Sequence, residues 1–528
     1  MWFLPRWFPL HPGKMWCHCR MVYLPMCYVY CKRFTPDVMS DSILLGLRSE
    51  LYNVSYESID WNKYRQVCSD IDEYSPLNPV MKICQDFLSV YEWILPHIPP
   101  LKWFREKCLG FVINYIHAED KQTNYVDIGP VNKALNMLSV WIDGKQDMSS
   151  EAFQRHIPRV DDYLWLAEDG MKMQGYNGSQ CWDTSFAIQA IVEGGFVESF
   201  PECTKKVYDY LRRTQITSDE EDREFFYRHV SKGGWPFSTA AHGWPISDCT
   251  SEGLKAVLSI HEIDADMKLI SAESRISNVR LEDACNVILT LHNSDGGWAT
   301  YENNRGYGWY ELMNPSEVFG DIMIDYSYVE CTMACITALK AFSLALPDHR
   351  PLEVLGAIQA GRNFIKSIQR TDGSWYGSWA VCFTYGTWFG IEGLISAGES
   401  TDSVHILRAT TFLLSKQNPN GGWGESYLSC VNKEYPADGT GDEHLGDGHS
   451  GVVQTSWALL GLLIADCKDR KAIDRGIQFL MSLQQPNGDW LQEGITGVFN
   501  RSCGITYTAY RNVFPIWALG RYNNKYRS

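Results

Sequence analysis

The sequence predicts an all-α chain of helical hairpins that stack or close into a ring, on three observations. A short pattern of glutamine, three residues, glycine, any residue and tryptophan recurs at intervals of about 50 to 80 residues. It reads Gln369…Gly373-Ser374-Trp375, Gln417…Gly421-Gly422-Trp423 and Gln484…Gly488-Asp489-Trp490, with a variant at His292…Gly296-Gly297-Trp298. The stretches between copies, such as Thr455 to Ala465, are apolar enough to be buried helices, so each repeat reads as helix, Gly-rich turn, helix. The 20 Trp, 28 Tyr and 22 Phe exceed what packing calls for, so aromatic rings are expected to line something.

Along the chain, residues 1 to about 165 carry helical patterning with a Pro-rich interruption at Leu95-Pro96-His97-Ile98-Pro99-Pro100 and no copy of the repeat. A boundary is placed between 165 and 166, where Trp165 to Gly170 is read as a helix end and Gly175-Tyr176-Asn177-Gly178 opens the next helix. A further helix is expected over Ser251 to Ile260. Asp438 to Ser450 is the long polar loop within the repeat region. At each repeat the glutamine amide is expected to bond backbone at a helix end while the tryptophan stacks on it, tying the outer turns together.

Composition narrows the function. A formal charge of −16 without clustered Lys and Arg argues against a nucleic-acid partner and for a neutral or apolar substrate. The 17 Cys are scattered without paired CxxC units, and the N-terminus lacks the order of a signal peptide, so a reducing compartment is expected. Met1 to Trp7 is apolar but broken by Pro5 and Arg6, and no uninterrupted apolar run approaches the ~18 residues of a membrane span.

The sharpest local sequence is Trp244-Pro245-Ile246-Ser247-Asp248-Cys249-Thr250-Ser251-Glu252. Glu252, four residues after Asp248, shares its face if both are helical. A carboxyl in an apolar aromatic cavity is pushed towards its neutral form, which can donate a proton. The competing reading is an N-cap aspartate. Trp182, Phe237, Trp379, Trp388 and Phe499 supply an aromatic context suited to cations, worth roughly 0.5 to 2 kcal/mol per ring, against the alternative of core packing. Cys17-His18-Cys19 tempts a zinc reading, but three consecutive residues converge poorly on a tetrahedral ion and no partner motif exists, so no metal is expected. His18 on residue type alone reads as a core histidine. Asp442-Glu443-His444…Asp447…His449 reads as solvated surface, with weak divalent binding as the competing reading.

These residues resemble those of eukaryotic oxidosqualene cyclases of the plant type, from about Pro9 to Arg521, through Asp248-Cys249-Thr250-x-Glu252 and the repeats. The resemblance implies two linked (α/α) barrels of the terpenoid cyclase type, the first incomplete: a partial inserted barrel over 1–165 and a catalytic (α/α)6 barrel over 166–528. It implies cyclisation of 2,3-oxidosqualene without a cofactor. Asp248 matches the acid that protonates the epoxide, Cys249 and Cys331 the thiols that hydrogen-bond it, and Glu252 the carboxylate linked to its reprotonation. Trp182, Phe237, Trp379 and Phe499 match cation-stabilising aromatics, with Trp388 and Tyr507 counted among the substrate contacts. His18 and Tyr301 match the pair near the final deprotonation, and Tyr176, His242 and Ile246 match positions that steer product choice in cycloartenol synthases. Ser251 in place of alanine, Trp298, and Asn303-Asn304-Arg305 depart from the common pattern and leave the product open. Relatives begin well before this chain does, so an incomplete first barrel and loss of one cavity wall are expected.

The resemblance further implies a monotopic attachment to the endoplasmic reticulum membrane, on its cytosolic face, or to lipid droplets. Two other readings compete: a non-catalytic remnant of the barrel, and an (α/α)-barrel glycoside hydrolase with two carboxylates about 5 to 10 Å apart.

Overall fold

The computed structural model describes residues 4–64, 66–94, 97–167, 170–435 and 450–526. Its N-terminal third holds α1 (Cys17–Lys32), α2 (Ser42–Leu51), α3 (Pro79–Ile94), α4 (Pro99–Gln122), α5 (Pro130–Asp143) and α6 (Glu151–His156). Helices α1, α4 and α5 pack on one another and α6 on α5. Helices α2 and α3 instead expose apolar side chains, among them Ile43, Leu51, Ile83, Phe87 and Trp93.

The stretch read as a helix end is a hairpin, β1 (Leu164–Ala167) paired antiparallel with β2 (Gly170–Met173). Leu164, Leu166, Met171 and Met173 are exposed, so no helical face is buried there and cross-strand hydrogen bonds take over. Residues 165 and 166 lie inside β1.

From there the chain alternates inner and outer helices: α7 (Gln180–Glu193), α8 (Pro201–Thr214), α9 (Ser247–Met267), α10 (Asn278–Thr290), α11 (Val329–Ala345), α12 (Pro351–Ser367), α13 (Phe383–Ser396), α14 (Val404–Ser415), the short α15 (Leu428–Asn432), α16 (Val452–Ile464), α17 (Arg470–Leu483), the hairpin β3 (Gly497–Phe499) and β4 (Cys503–Ile505), and α18 (Tyr510–Tyr526). Helices α7, α9, α11, α13, α16 and α18 each pack on the next, and α18 returns to α7. Helices α8, α10, α12, α14 and α17 pack outside them. Both faces of α16 are covered, and every one of its residues from Val452 to Leu463 is buried.

The repeats are the outer turns. The indole N–H groups of Trp298, Trp375, Trp423 and Trp490 donate to the carbonyls of Ile288, Ile365, Leu413 and Leu480, each ten residues earlier, at 2.7–2.9 Å. They thereby satisfy helix-end acceptors, where the sequence suggested stacking. The Gln369 amide donates to its own turn at Gly373 and to His405 in the first turn of α14; Gln417 does the same to Gly421 and to Ala472 of α17. A copy that sequence spacing hides is Gln215…Gly233-Gly234-Trp235: Gln215 donates to Gly233 and Arg280, and Trp235 to Leu211. All five turns place their first glycine at positive φ, from 88° at Gly488 to 100° at Gly233.

The polar loop from Asp438 lies, up to 449, outside the described residues, with Asp442, Glu443, His444, Asp447 and His449. Leu95 and Pro96 lie outside them as well.

Candidate active site

Pro245 favours an extended residue before it, and Ile246 is itself extended (φ −124°, ψ 138°). Helix α9 therefore starts at Ser247, four residues earlier than the sequence suggested, and Asp248 stands in its first turn, with Ile246 as the N-cap. That turn is buried from Ser247 to Leu254. The Oδ1 of Asp248 accepts from the Cys249 N–H at 2.7 Å, and the Cys331 thiol, from the first turn of α11, lies 3.9 Å from Oδ2. Burial is the largest influence on the Asp248 carboxyl and, despite the Cys249 N–H, raises it to about 6. Burial also raises the Cys249 and Cys331 thiols, which stay protonated donors.

Asp248 faces a cavity lined by Tyr176, Trp182, Phe237, Ile246, Thr300, Tyr301, Trp379, Tyr385, Phe499, Ile505, Tyr507 and Tyr510. Nine of the residues singled out in the sequence thus converge on one space. Their rings support one another: Tyr176 meets Phe237 edge-on at 5.5 Å, Trp379 lies 5.7 Å from Phe499, and the Trp182 indole donates to the Tyr510 hydroxyl at 2.7 Å.

His18 is delivered from α1. Its Nε2 is 2.8 Å from the Tyr176 hydroxyl, and its ring meets Tyr301 edge-on at 5.0 Å and Phe499 at 5.3 Å. Burial drops His18 to about 3, so the imidazole is neutral. Its placement rests on a contact invisible to sequence reasoning: Arg20, two residues on, makes a bidentate pair with Glu302, the residue after Tyr301, at 2.8 and 2.5 Å. Both partners are buried, and the paired charges register α1 against the loop carrying Tyr301. Asp325 fixes the same loop by accepting from the Tyr301 N–H and the Thr300 hydroxyl, both at 2.8 Å.

The other expected residues stand further off. His242 is fully buried, held by the Asn177 amide at 2.8 Å and lowered to about 3 by burial, and it does not line the cavity. Glu252 is fully buried one turn beyond Asp248, with its carboxylate 2.8 Å from Lys255 and accepting from Gln189 at 2.7 Å. Trp388 is not a wall residue: it packs behind Tyr385 against Phe389 and Phe514 and donates to Glu392. Core packing, the alternative weighed for each aromatic, is its position. Tyr385 and Tyr510 take wall positions that the sequence analysis missed; Tyr385 lies three residues before Trp388 on α13, close to one turn, which is the signal that could have found it. Trp16 stacks on Phe499 at 6.0 Å behind the wall.

Cys17, His18 and Cys19 occupy the first turn of α1 and project to different neighbours. Among the described residues, Asp120, Asp127 and His156 bring three potential metal ligands together, but Lys133 lies 2.8 Å from His156 Nδ1 and 3.7 Å from Asp127, so an ammonium already supplies the positive charge. No helix among the described residues is long and apolar enough to cross a membrane.

Residues 178–524 match the family description "squalene-hopene cyclase C-terminal domain". The chain is 50% identical over 526 residues to the cycloartenol synthase of Dictyostelium discoideum, covering 99% of this chain and 71% of that protein. It is 47% identical to the lanosterol synthase of Mus musculus (100% and 69% covered) and 45% identical to that of Homo sapiens (100% and 70%).

Proposed function

Because the chain belongs to the oxidosqualene cyclase family, we propose that Asp248 protonates the epoxide of (3S)-2,3-oxidosqualene and that the aromatic cavity guides its cyclisation to a polycyclic triterpene alcohol. One observation carries the assignment of the acid. Asp325, Glu330 and Glu425 are buried carboxylates that accept from backbone N–H groups of neighbouring loops and helix ends, whereas Asp248 is the carboxylate that lines the cavity.

Asp248 passes its proton to the epoxide oxygen as the C–O bond at the tertiary carbon breaks. Cys249 and Cys331 orient the carboxyl, and Glu252, one turn on in α9, is the residue to which the family resemblance assigns return of the proton. The faces of Trp182, Phe237, Trp379 and Phe499 stabilise the migrating cation without offering it a lone pair to capture. Neutral His18, bonded to Tyr176 and flanked by Tyr301, is the group able to accept the last proton. An apolar substrate filling the cavity excludes water and raises the Asp248 carboxyl further, favouring the donor form. The glycoside hydrolase reading is not favoured, because the candidate second carboxylate, Glu252, is engaged by Lys255 and Gln189.

The product is proposed to be cycloartenol or a related triterpenol, since His18, Tyr176, His242, Ile246 and Tyr301 keep the cycloartenol-like pattern. Monotopic attachment to the endoplasmic reticulum or a lipid droplet is proposed as well, supported by the exposed apolar face of α3 at Ile83, Phe87 and Val90. The test is expression in a yeast lacking its own lanosterol synthase, with products read by gas chromatography and mass spectrometry. A triterpene alcohol isomeric with the substrate is expected, and its absence from a folded chain would count against the reading. Resistance to high salt, with release by detergent, is the expected behaviour of the membrane-bound fraction.

A further inference from the structure

Glu330 immediately precedes Cys331 on α11 and is 1% exposed. Its Oε1 accepts from the backbone N–H groups of Ser378 at 2.5 Å and Trp379 at 3.1 Å. Its Oε2 is buried and finds no hydrogen-bond partner among the described residues. On the other side, the Trp379 carbonyl accepts from Val498 at 3.2 Å, in the strand that carries Phe499. The Trp379 backbone is therefore held from two sides, while its indole N–H is buried without an acceptor. The ring's position is set by its backbone and by contacts with Tyr328 and Phe499, each at 5.7 Å.

Trp379 is the residue shared by two spaces. One is the acid cavity. The other is a cleft lined also by Tyr328, Ser378, Asp321, Lys433 and Arg501. The cleft is polar at its charged edge, where Lys433 and Arg501 lie 2.8 and 3.7 Å from Asp321, and these groups are partly exposed. Water in the cleft is thus one indole away from the space in which a carbocation would travel.

We infer that Glu330 is a positioning residue that holds Trp379 as the partition between this cleft and the acid cavity, so that the cation is not captured by water. The inference rests on the cyclase reading and adds a residue to it. The side reaction it guards against is balanced: the water oxygen forms a C–O bond to the cationic carbon, and its surplus proton goes to the Asp248 carboxylate or to solvent. A captured product is the substrate plus one water, whereas the normal products are isomers of the substrate, and mass separates them.

The test compares the parent chain with Glu330→Gln, Glu330→Ala and Trp379→Phe, reading products, kcat, KM and Tm. Glutamine keeps an acceptor oxygen for both N–H groups, so Glu330→Gln is expected to hold the ratio of captured to isomeric products near the parent's. Alanine leaves both N–H groups unpaired and is expected to raise that ratio about tenfold, with kcat falling and KM nearly unchanged; tenfold corresponds to ~1.4 kcal/mol between the two exits. If Glu330→Ala does not accumulate as folded protein, Trp379→Phe, which thins the partition directly, is expected to give the same captured products. An Ala variant that makes less of an unchanged product mixture, a Gln variant that behaves like Ala, or a Phe variant without captured products would overturn the inference. A parent that makes no isomeric triterpene would instead overturn the cyclase reading.

Discussion

Tryptophan is used in opposite ways at the outer turns and at the inner cavity. Outside, Trp235, Trp298, Trp375, Trp423 and Trp490 are all fully or nearly fully buried, and each spends its N–H on a helix carbonyl. Inside, Trp182 donates to a neighbouring wall tyrosine and Trp379 to nothing described, and both turn part of their surface to an open space. The outer set closes hydrogen-bond valences at helix ends, whereas the inner set turns π faces to the cavity, which is what the proposed stabilisation of a cation requires. The same contrast divides the carboxylates, since Asp325 and Glu425 are saturated by backbone N–H groups while Asp248 faces the cavity.

The largest effect expected from breaking this contrast is at Asp248, the proposed acid. Asp248→Asn preserves shape but has no proton to give, so turnover is expected to fall by at least roughly 10³-fold while Tm stays near the parent value. Turnover near the parent's in a product assay would mean that another group is the acid. The outer turns should respond the other way. Trp423→Ala empties a fully buried site and orphans the Leu413 carbonyl, with an expected loss of about 3 to 5 kcal/mol in denaturant unfolding and an unchanged product pattern in whatever remains folded.

A finer comparison separates two turns of the same design. Gly421 sits at φ 93°, and a Cβ there would lie 2.8 Å from the Arg475 carbonyl, whereas Gly488 sits at φ 88° with open space around it. Gly421→Ala is expected to cost about 1 to 3 kcal/mol and Gly488→Ala distinctly less, since the second variant meets backbone strain alone. Equal losses in thermal melts would show that contact with the next outer helix contributes nothing.

If Asp248 is the acid, as proposed, the pH dependence of activity should follow it. With Asp248 raised to about 6, the fraction carrying a proton falls as pH rises through that value, so kcat/KM of the free enzyme is expected to decline above about pH 6. Stability has the same sign: between the ordinary carboxylate range and about 6 the folded state binds the extra proton, so this group's contribution is present at the acid end and lost as pH rises. A flat kcat/KM profile across that window would remove burial as the device that tunes Asp248. The smallest effect is at Ile246, where Val removes one methylene from the cavity wall and is expected to raise side products by a factor of a few, read by gas chromatography.

The repeats were legible because glycine at positive φ and a tryptophan at fixed spacing are local requirements of one turn. The copy at Gln215 and Trp235 was not, because residues 216–232 separate its parts. The hairpin at Leu164 to Met173 read as a helix end, since four residues carry too little periodicity to separate the two. Cavity-facing and buried aromatics look alike in sequence: Trp388 and Tyr385 share one helix, and only packing against Phe514 and Phe389 put Trp388 behind the wall.

By itself the sequence determined the helical hairpin design, which depends on residue type and short spacing, and its resemblance to the family singled out the segment that carries Asp248 and most of the aromatic residues that line the cavity. Tertiary structure decided which carboxylate faces open space and how His18, 283 residues before Tyr301, comes to lie against it. Those outcomes depend on burial and on the long-range Arg20–Glu302 pair, and neither the dielectric around a group nor the partner of a distant charge is written in its local sequence.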